Sequence, residues 1–139
     1  MKKLVFSVVC SILIIASCSK FVRKDTAKLA ESESITWLEL IDTAKYDIGY
    51  DKAADLFKKA VSKEKWIESM NIYRLPLGKM IKREMKSSRY STQMPSAPDG
   101  EYFIIQYATV FDKKKESVET ITVMKDIDHH WRVSGYYIK

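Results

Sequence analysis

The sequence predicts an α+β domain with its helices first and its strands after, and two observations predict it. Apolar residues recur at i, i+3, i+4 and i+7 through residues 37–73, the spacing of helices that bury one face. Beyond Gly78 the period shortens, and aromatic and β-branched residues crowd the chain between turn signals, as in strands. Because like elements run together, the layers are segregated: three N-terminal helices packed on an antiparallel sheet of four strands.

The first element in order is a leader. Lys2 and Lys3 precede an uncharged apolar run over 4–16 and then small residues, the plan of a secretory signal over residues 1–17. A spanning helix needs ~20 apolar residues, so a permanent transmembrane anchor is disfavoured. The ending I-A-S-C (15–18) resembles the lipobox of bacterial lipoproteins. There the cysteine thiol is acylated and cleavage makes the cysteine the new N-terminus, so Cys18 is the expected lipid attachment. Ordinary cleavage near 16–18, leaving a soluble periplasmic protein, is the alternative. Ser19 in place of an aspartate favours, by analogy with enterobacterial sorting, the outer membrane facing the periplasm. One acyl chain anchors marginally at about 0.8 kcal/mol per buried methylene, whereas the two or three on a modified Cys18 would hold firmly. Lys20, Arg23 and Lys24 add attraction to anionic head groups, on the order of 1 kcal/mol each at best. Residues 18–26 then read as a lipid-anchored tether, and 27–139 as a single domain.

Composition narrows the chemistry. The chain carries 24 basic and 18 acidic side chains. Removing Lys2 and Lys3 with the leader leaves 22 against 18, a mature net charge of +4 that requires no polyanionic partner. Cys10 falls in the leader and Cys18 is consumed, which excludes disulfides, cysteine nucleophiles and cysteine metal sites from the folded part. A chain of this length can bury a core without such staples.

Within the domain, Trp37, Leu40, Ile41 and Ala44 mark one helix face. Gly49 interrupts, and Tyr50, Ala53, Ala54, Phe57, Ala60 and Val61 mark a second. Ser62 caps a third helix with Glu64 in its first turn, and Val61 and Trp66 stand at the positions of a hydrophobic staple. Pro76 and Gly78 end helical structure. Residues 80–90 are ambiguous, since Leu77, Ile81 and Met85 fit a helix while Ser87-Ser88 and the flanking turn suit a strand, and they are read as a strand; M-P-S-A-P-D-G (94–100) reads as a loop. Residues 101–111, apolar on both faces, suit a covered central strand. Lys113, Lys114 and Lys115 make a charged turn, 118–125 alternates as a strand, 126–130 turns, and 131–138 is the last strand.

With these motifs placed, the chain resembles the bacterial domain of unknown function 4019 family. The resemblance rests on W-L-E-L-I-D-T-A-K-Y (37–46), R-L-P-L-G-K (74–79), M-P-S-A-P-D-G-E-Y (94–102) and W-R-V-S-G-Y (131–136). It spans nearly the whole domain in order and implies no established activity. More distantly, helices against a curved four-stranded sheet are similar to the nuclear transport factor 2-like, or cystatin-like, fold. That fold hosts isomerases, dehydratases, binding modules and dimerisation domains, so it selects no function. D-H-H-W (128–131), in place of an Asp-Gly type pair before the tryptophan, and D-I-G-Y (47–50) depart from the expected pattern.

Enzymes of that fold place an acid-base residue between sheet and helices, which makes Asp42 the candidate acid here. Trp37 opposite Tyr107, with Arg74 either closing the pocket or capping the third helix, completes the candidate pocket; an exposed or helix-end position is the alternative for Asp42, and packing in the core the alternative for the others. Tyr107 needs a hydrogen-bond partner if buried. His129 and His130 are adjacent, so on a strand they face opposite ways and make a poor metal pair; a hairpin surface position is expected, and no metal or cofactor. Lys79, Lys82, Arg83, Lys86 and Arg89 against Glu84 form a basic stretch, expected as a solvated strand face or a contact for anionic lipid or glycan phosphate. No aromatic interleaving supports a nucleic-acid partner. No nucleophile elbow, phosphate-cradling glycine loop or metalloprotease helix is present.

The expected protein is a non-enzymatic envelope lipoprotein that binds a protein or small-molecule partner. A pocket enzyme of isomerase or dehydratase type and a homodimeric structural protein are the alternatives.

Overall fold

A computed structural model describes the backbone of residues 14–139, with side chains from Arg23 onward. Most of the expected signal peptide and the Cys18 side chain lie outside the described residues. Among the described residues four α-helices, not three, precede the sheet: α1 (Ile14–Asp42), α2 (Tyr46–Lys52), α3 (Asp55–Ala60) and α4 (Lys63–Ser69). A π-helical turn (Met70–Arg74) and a 3-10 turn (Leu75–Leu77) lead to β1 (Met80–Ser91), β2 (Tyr102–Phe111), β3 (Lys114–Lys125) and β4 (Trp131–Ile138). The stretch 18–26, expected as a tether, is helical and part of α1.

Helix α1 buries Ala30, Ser34, Trp37, Leu38 and Ile41, one stripe at helical spacing. Ala44, expected to continue the stripe, instead ends the helix in a left-handed conformation at φ 56°. Lys45 N–H donates to Leu40 O at 2.9 Å and Ala44 N–H to Ile41 O at 3.1 Å, the paired bonds of a Schellman cap. Gly49 does not interrupt a helix; it lies inside α2. A Cβ there would stand 3.0 Å from Ile41 Cδ1, so its bareness lets α2 lie against α1. The second helix expected over 50–61 is split, because Ala53 and Ala54 are extended and Ala54 N–H donates to Val133 O of β4 at 2.9 Å. The third expected helix forms as α4, with the Ser62 side chain accepting from Lys65 N–H. Gly78, at φ 78°, makes the corner into the sheet.

The strands form one antiparallel sheet in the order β1-β2-β3-β4. Each ladder carries a register shift, at Met80/Lys82, Met85/Ser87, Thr109/Phe111 and Thr122/Val123, and such bulges bend a sheet. β3 begins at Lys114, so two of the three lysines expected in a turn are in the strand. β2 is central and covered unequally: Phe103, Ile105 and Tyr107 on the inner face are buried, while on the other face Tyr102 is buried, Ile104, Ala108 and Val110 are half-buried and Gln106 is exposed.

The helices cover the inner face. Trp37 and Trp66 meet at 5.7 Å between ring centroids, Phe57 meets Trp66 at 5.1 Å, and Tyr136 meets Trp37 at 5.3 Å. Each indole is anchored from its polar edge. Trp37 Nε1 donates to Gly49 O at 2.8 Å, and Trp66 Nε1 to Tyr46 O at 2.9 Å.

Candidate functional site

Two constructions compete as the working part of the molecule: a buried charge network at the end of α1, and a groove beside β4. The network starts from β1. Arg83 was expected on the solvated basic face, but Thr109, its partner across the ladder, is buried, so Arg83 points inward with it. Its guanidinium forks onto Asp42, with Nη1 donating to Oδ2 at 2.7 Å and Nη2 to Oδ1 at 2.9 Å, while Nε donates to Glu119 Oε2 at 2.7 Å. Arg74 Nη2 donates to the same Asp42 Oδ1 at 3.0 Å, and its Nη1 to Gly78 O at 2.8 Å. The Arg74 guanidinium lies 4.3 Å from the Phe111 ring centroid, a cation-π contact.

Glu119 is fully buried, 0 % exposed, and accepts from Arg83, from Thr109 Oγ1 at 2.5 Å and from Tyr136 Oη at 2.6 Å. Two guanidinium groups thus face two carboxylates, and the charges balance inside the protein. Burial opposes the charge on Arg83, yet its bonds to Asp42 and Glu119 outweigh that and raise its pKa above the ordinary guanidinium value. Burial and the neighbouring Glu119 carboxylate push the Tyr136 phenol well up. A carboxylate that already accepts three charge-assisted or short hydrogen bonds is a poor proton donor or acceptor for a substrate.

The four residues expected to line one pocket fall into three different surroundings. Asp42 and Arg74 meet directly in the network. Trp37 is packed in the aromatic cluster. Tyr107 is buried beside α1, where it shares a 2.6 Å hydrogen bond with Ser34 Oγ. Ser34 donates its own proton to Glu31 O at 2.7 Å, so Tyr107 is the donor of that bond. His129 and His130 are exposed in the turn before β4; His129 has φ 66°, the left-handed position usually taken by Gly or Asn. Lys79, Lys82, Lys86 and Arg89 are exposed, so the basic face exists without Arg83.

The groove lies elsewhere, between the α3–α4 layer and the C-terminal half of β4. Its volume is about 630 Å³, within the range of small-ligand sites. Phe57, Trp66, Met70 and Tyr73 wall one side, and Tyr136, Tyr137 and Ile138 the other. Tyr73 and Tyr137 are 69 % and 64 % exposed, large aromatic surfaces left to solvent at its mouth. Lys114 is the one charged side chain in its lining, and it has no ion-pair partner among the described residues. Sequence reading missed this site because its walls come from an aromatic stripe in the helices and from the last strand, which only the sheet order brings together. The run Y-Y-I (136–138) on a half-exposed edge was the available signal.

Among the described residues no group of three or more His, Cys, Asp or Glu side chains is placed to hold a metal ion, and no helix is long and apolar enough to cross a membrane. The model of one protein family, described as protein of unknown function (DUF4019), matches residues 33–136. No curated protein and no solved structure matches the chain.

Proposed function

The chain belongs to the DUF4019 family, and from that premise we propose a non-enzymatic binding domain held at the bacterial envelope by acylated Cys18. The observation that carries the binding reading is the open aromatic groove at the β4 edge, which contains no acid and one uncommitted ammonium. Exposed tyrosines beside a concave apolar wall are costly to leave bare and suit a partner's surface. The carboxylates that an isomerase or dehydratase would need are locked in the charge network, which weighs against catalysis. The architecture agrees with a nuclear transport factor 2-like, or cystatin-like, fold in its helical layer on a bulged four-stranded meander.

The anchor rests on the lipobox-like I-A-S-C (15–18). It places the domain outside the cytoplasm, most simply on the periplasmic face of the outer membrane. Two measurements test the reading. Intact mass of the purified mature protein should show a chain beginning at Cys18 and carrying acyl groups; a bare Cys18 would remove the anchor. A photo-crosslinking residue at Tyr73, introduced into the full-length protein in living cells, should yield a discrete adduct that the same residue at exposed Ile127 does not. Equal patterns at both positions would remove the groove as the binding site.

A further inference from the structure

The strand edge beside the groove narrows what can fill it. β4 is an edge strand. Val118 and Lys139 exchange both of their backbone hydrogen bonds, each 3.0 Å. Antiparallel pairs alternate, so the N–H and C=O groups of Tyr136 and Ile138 point away from β3. Farther up the strand the helical layer closes this edge, where Val133 O accepts from Ala54 N–H. Among the described residues, no helix or loop backbone bonds Tyr136 or Ile138.

The opposite edge is defended. β1 exposes Lys82, Glu84, Lys86 and Arg89 and contains two bulges, the devices that discourage strand pairing. The end of β4, S-G-Y-Y-I (134–138), carries no charge. Its unpaired groups border the groove, whose charged lining is Lys114 alone.

We propose, resting on the binding reading above, that this edge takes an extended peptide segment of a partner protein. The segment adds as a fifth strand along Tyr136 and Ile138 and sets alternate apolar side chains against Trp66, Met70 and Tyr73. A carboxylate of the segment pairs with the Lys114 ammonium. Main-chain bonds then supply affinity and the groove supplies selectivity, the usual division of labour in strand addition.

The probe is a random library of N-acetylated, C-amidated heptapeptides, selected on the full-length protein in detergent. Enriched peptides should alternate apolar residues and contain an acid, and Lys114→Met should erase the acidic preference. Ile138→Pro deletes one outward N–H without touching the β3 ladder, a place where an edge strand tolerates proline. It should weaken the best peptide on the order of tenfold, whereas Ile138→Ala, which keeps the N–H, should weaken it less. Should Ile138→Pro misfold by circular dichroism, N-methylation scanning of that peptide gives the same answer, with loss at alternate positions only.

Failure to enrich any peptide, enrichment of basic ones, or indifference to both backbone changes overturns strand addition. So does a dimer of the full-length protein that Ile138→Pro dissolves, since the occupant would then be a second copy. If the Tyr73 adduct persists through such a failure, the binding reading survives without the strand; if the adduct is also missing, both fall.

Discussion

Glu119 accepts hydrogen bonds from three donors on three strands, Arg83, Thr109 and Tyr136, so its removal exposes the energetics of the whole network. Glu119→Ala leaves a buried guanidinium nitrogen and two hydroxyls without acceptors, and breaking a buried pair from one side costs about 3–5 kcal/mol. Adding Arg83→Met to Glu119→Ala removes both charges together and should recover part of that loss, which a double-mutant cycle by urea unfolding would read as coupling. Full additivity would mean that the two side chains do not share a network. The phenols give a pH signature. Burial raises the pKa of Tyr46, Tyr102 and Tyr107, and burial with Glu119 raises Tyr136 further. A raised folded pKa favours the protonated form in the fold. The associated stability is therefore complete below the unfolded value near 10 and is lost as pH climbs through the folded values. Tyrosinate absorbance should show part of the eight tyrosines ionising only as circular dichroism is lost. A smooth titration of all of them before unfolding would contradict the burial account.

At the level of elements, two joints carry residues whose backbone conformations can be exchanged for a test. Ala44 occupies the left-handed C′ site of α1 at φ 56°, where a Cβ costs ~1–2 kcal/mol. Ala44→Gly should therefore stabilise by roughly 0.5 kcal/mol after the added unfolded-state entropy of glycine. Gly78, at φ 78° and ψ −153°, sits where only glycine is at ease, and an added Cβ would fall 1.7 Å from Asp112 Oδ1. Gly78→Ala should cost at least ~1–3 kcal/mol, with a lower urea midpoint at unchanged slope. Opposite signs at the two joints are the expected result, and equal signs would mean that backbone strain is not the governing factor. The same joints explain what the sequence could reveal. Period, turn residues and the Ser62 cap are local, so β2, β4, the 94–100 loop and α4 were legible, while β1 was ambiguous because Leu77, Ile81 and Met85 also fall at helical spacing. The split of the second helix was not, because Ala53 and Ala54 are good helix formers overruled by one bond to β4. Arg83 was misplaced for a related reason: a cation in a basic run reads as solvated until its two acids arrive from α1 and β3.

Across the molecule, α1 and the sheet fix which end of the domain meets a membrane if Cys18 is acylated. The Arg23 guanidinium lies 5.6 Å from the Tyr90 ring centroid, while Asp42 at the other end of α1 bonds Arg83. The N-terminal part of α1 therefore shares a pole with the 92–100 loop and the 126–130 turn, through the β1–β2–β3–β4 register that aligns Tyr90 with Phe103, Val123 and Val133. Leu77, Lys114 and Ile138 of the groove lie at the opposite pole. Cys18 precedes Arg23 by five helical residues, a rise of ~8 Å, so an acylated chain would hold the first pole close to the bilayer. That orientation turns the groove toward soluble partners, and it predicts a labelling asymmetry. Since acylation would consume Cys18, a single introduced cysteine is the sole free thiol of the mature chain. In liposomes of the acylated protein, Tyr137→Cys should react with a bulky polymer-linked maleimide at its rate in detergent. Ile127→Cys, at a position 95 % exposed in the domain itself, should be slowed severalfold. Slowing at position 137 rather than 127 would reverse the orientation and set the groove against lipid, where a soluble peptide could not reach the β4 edge.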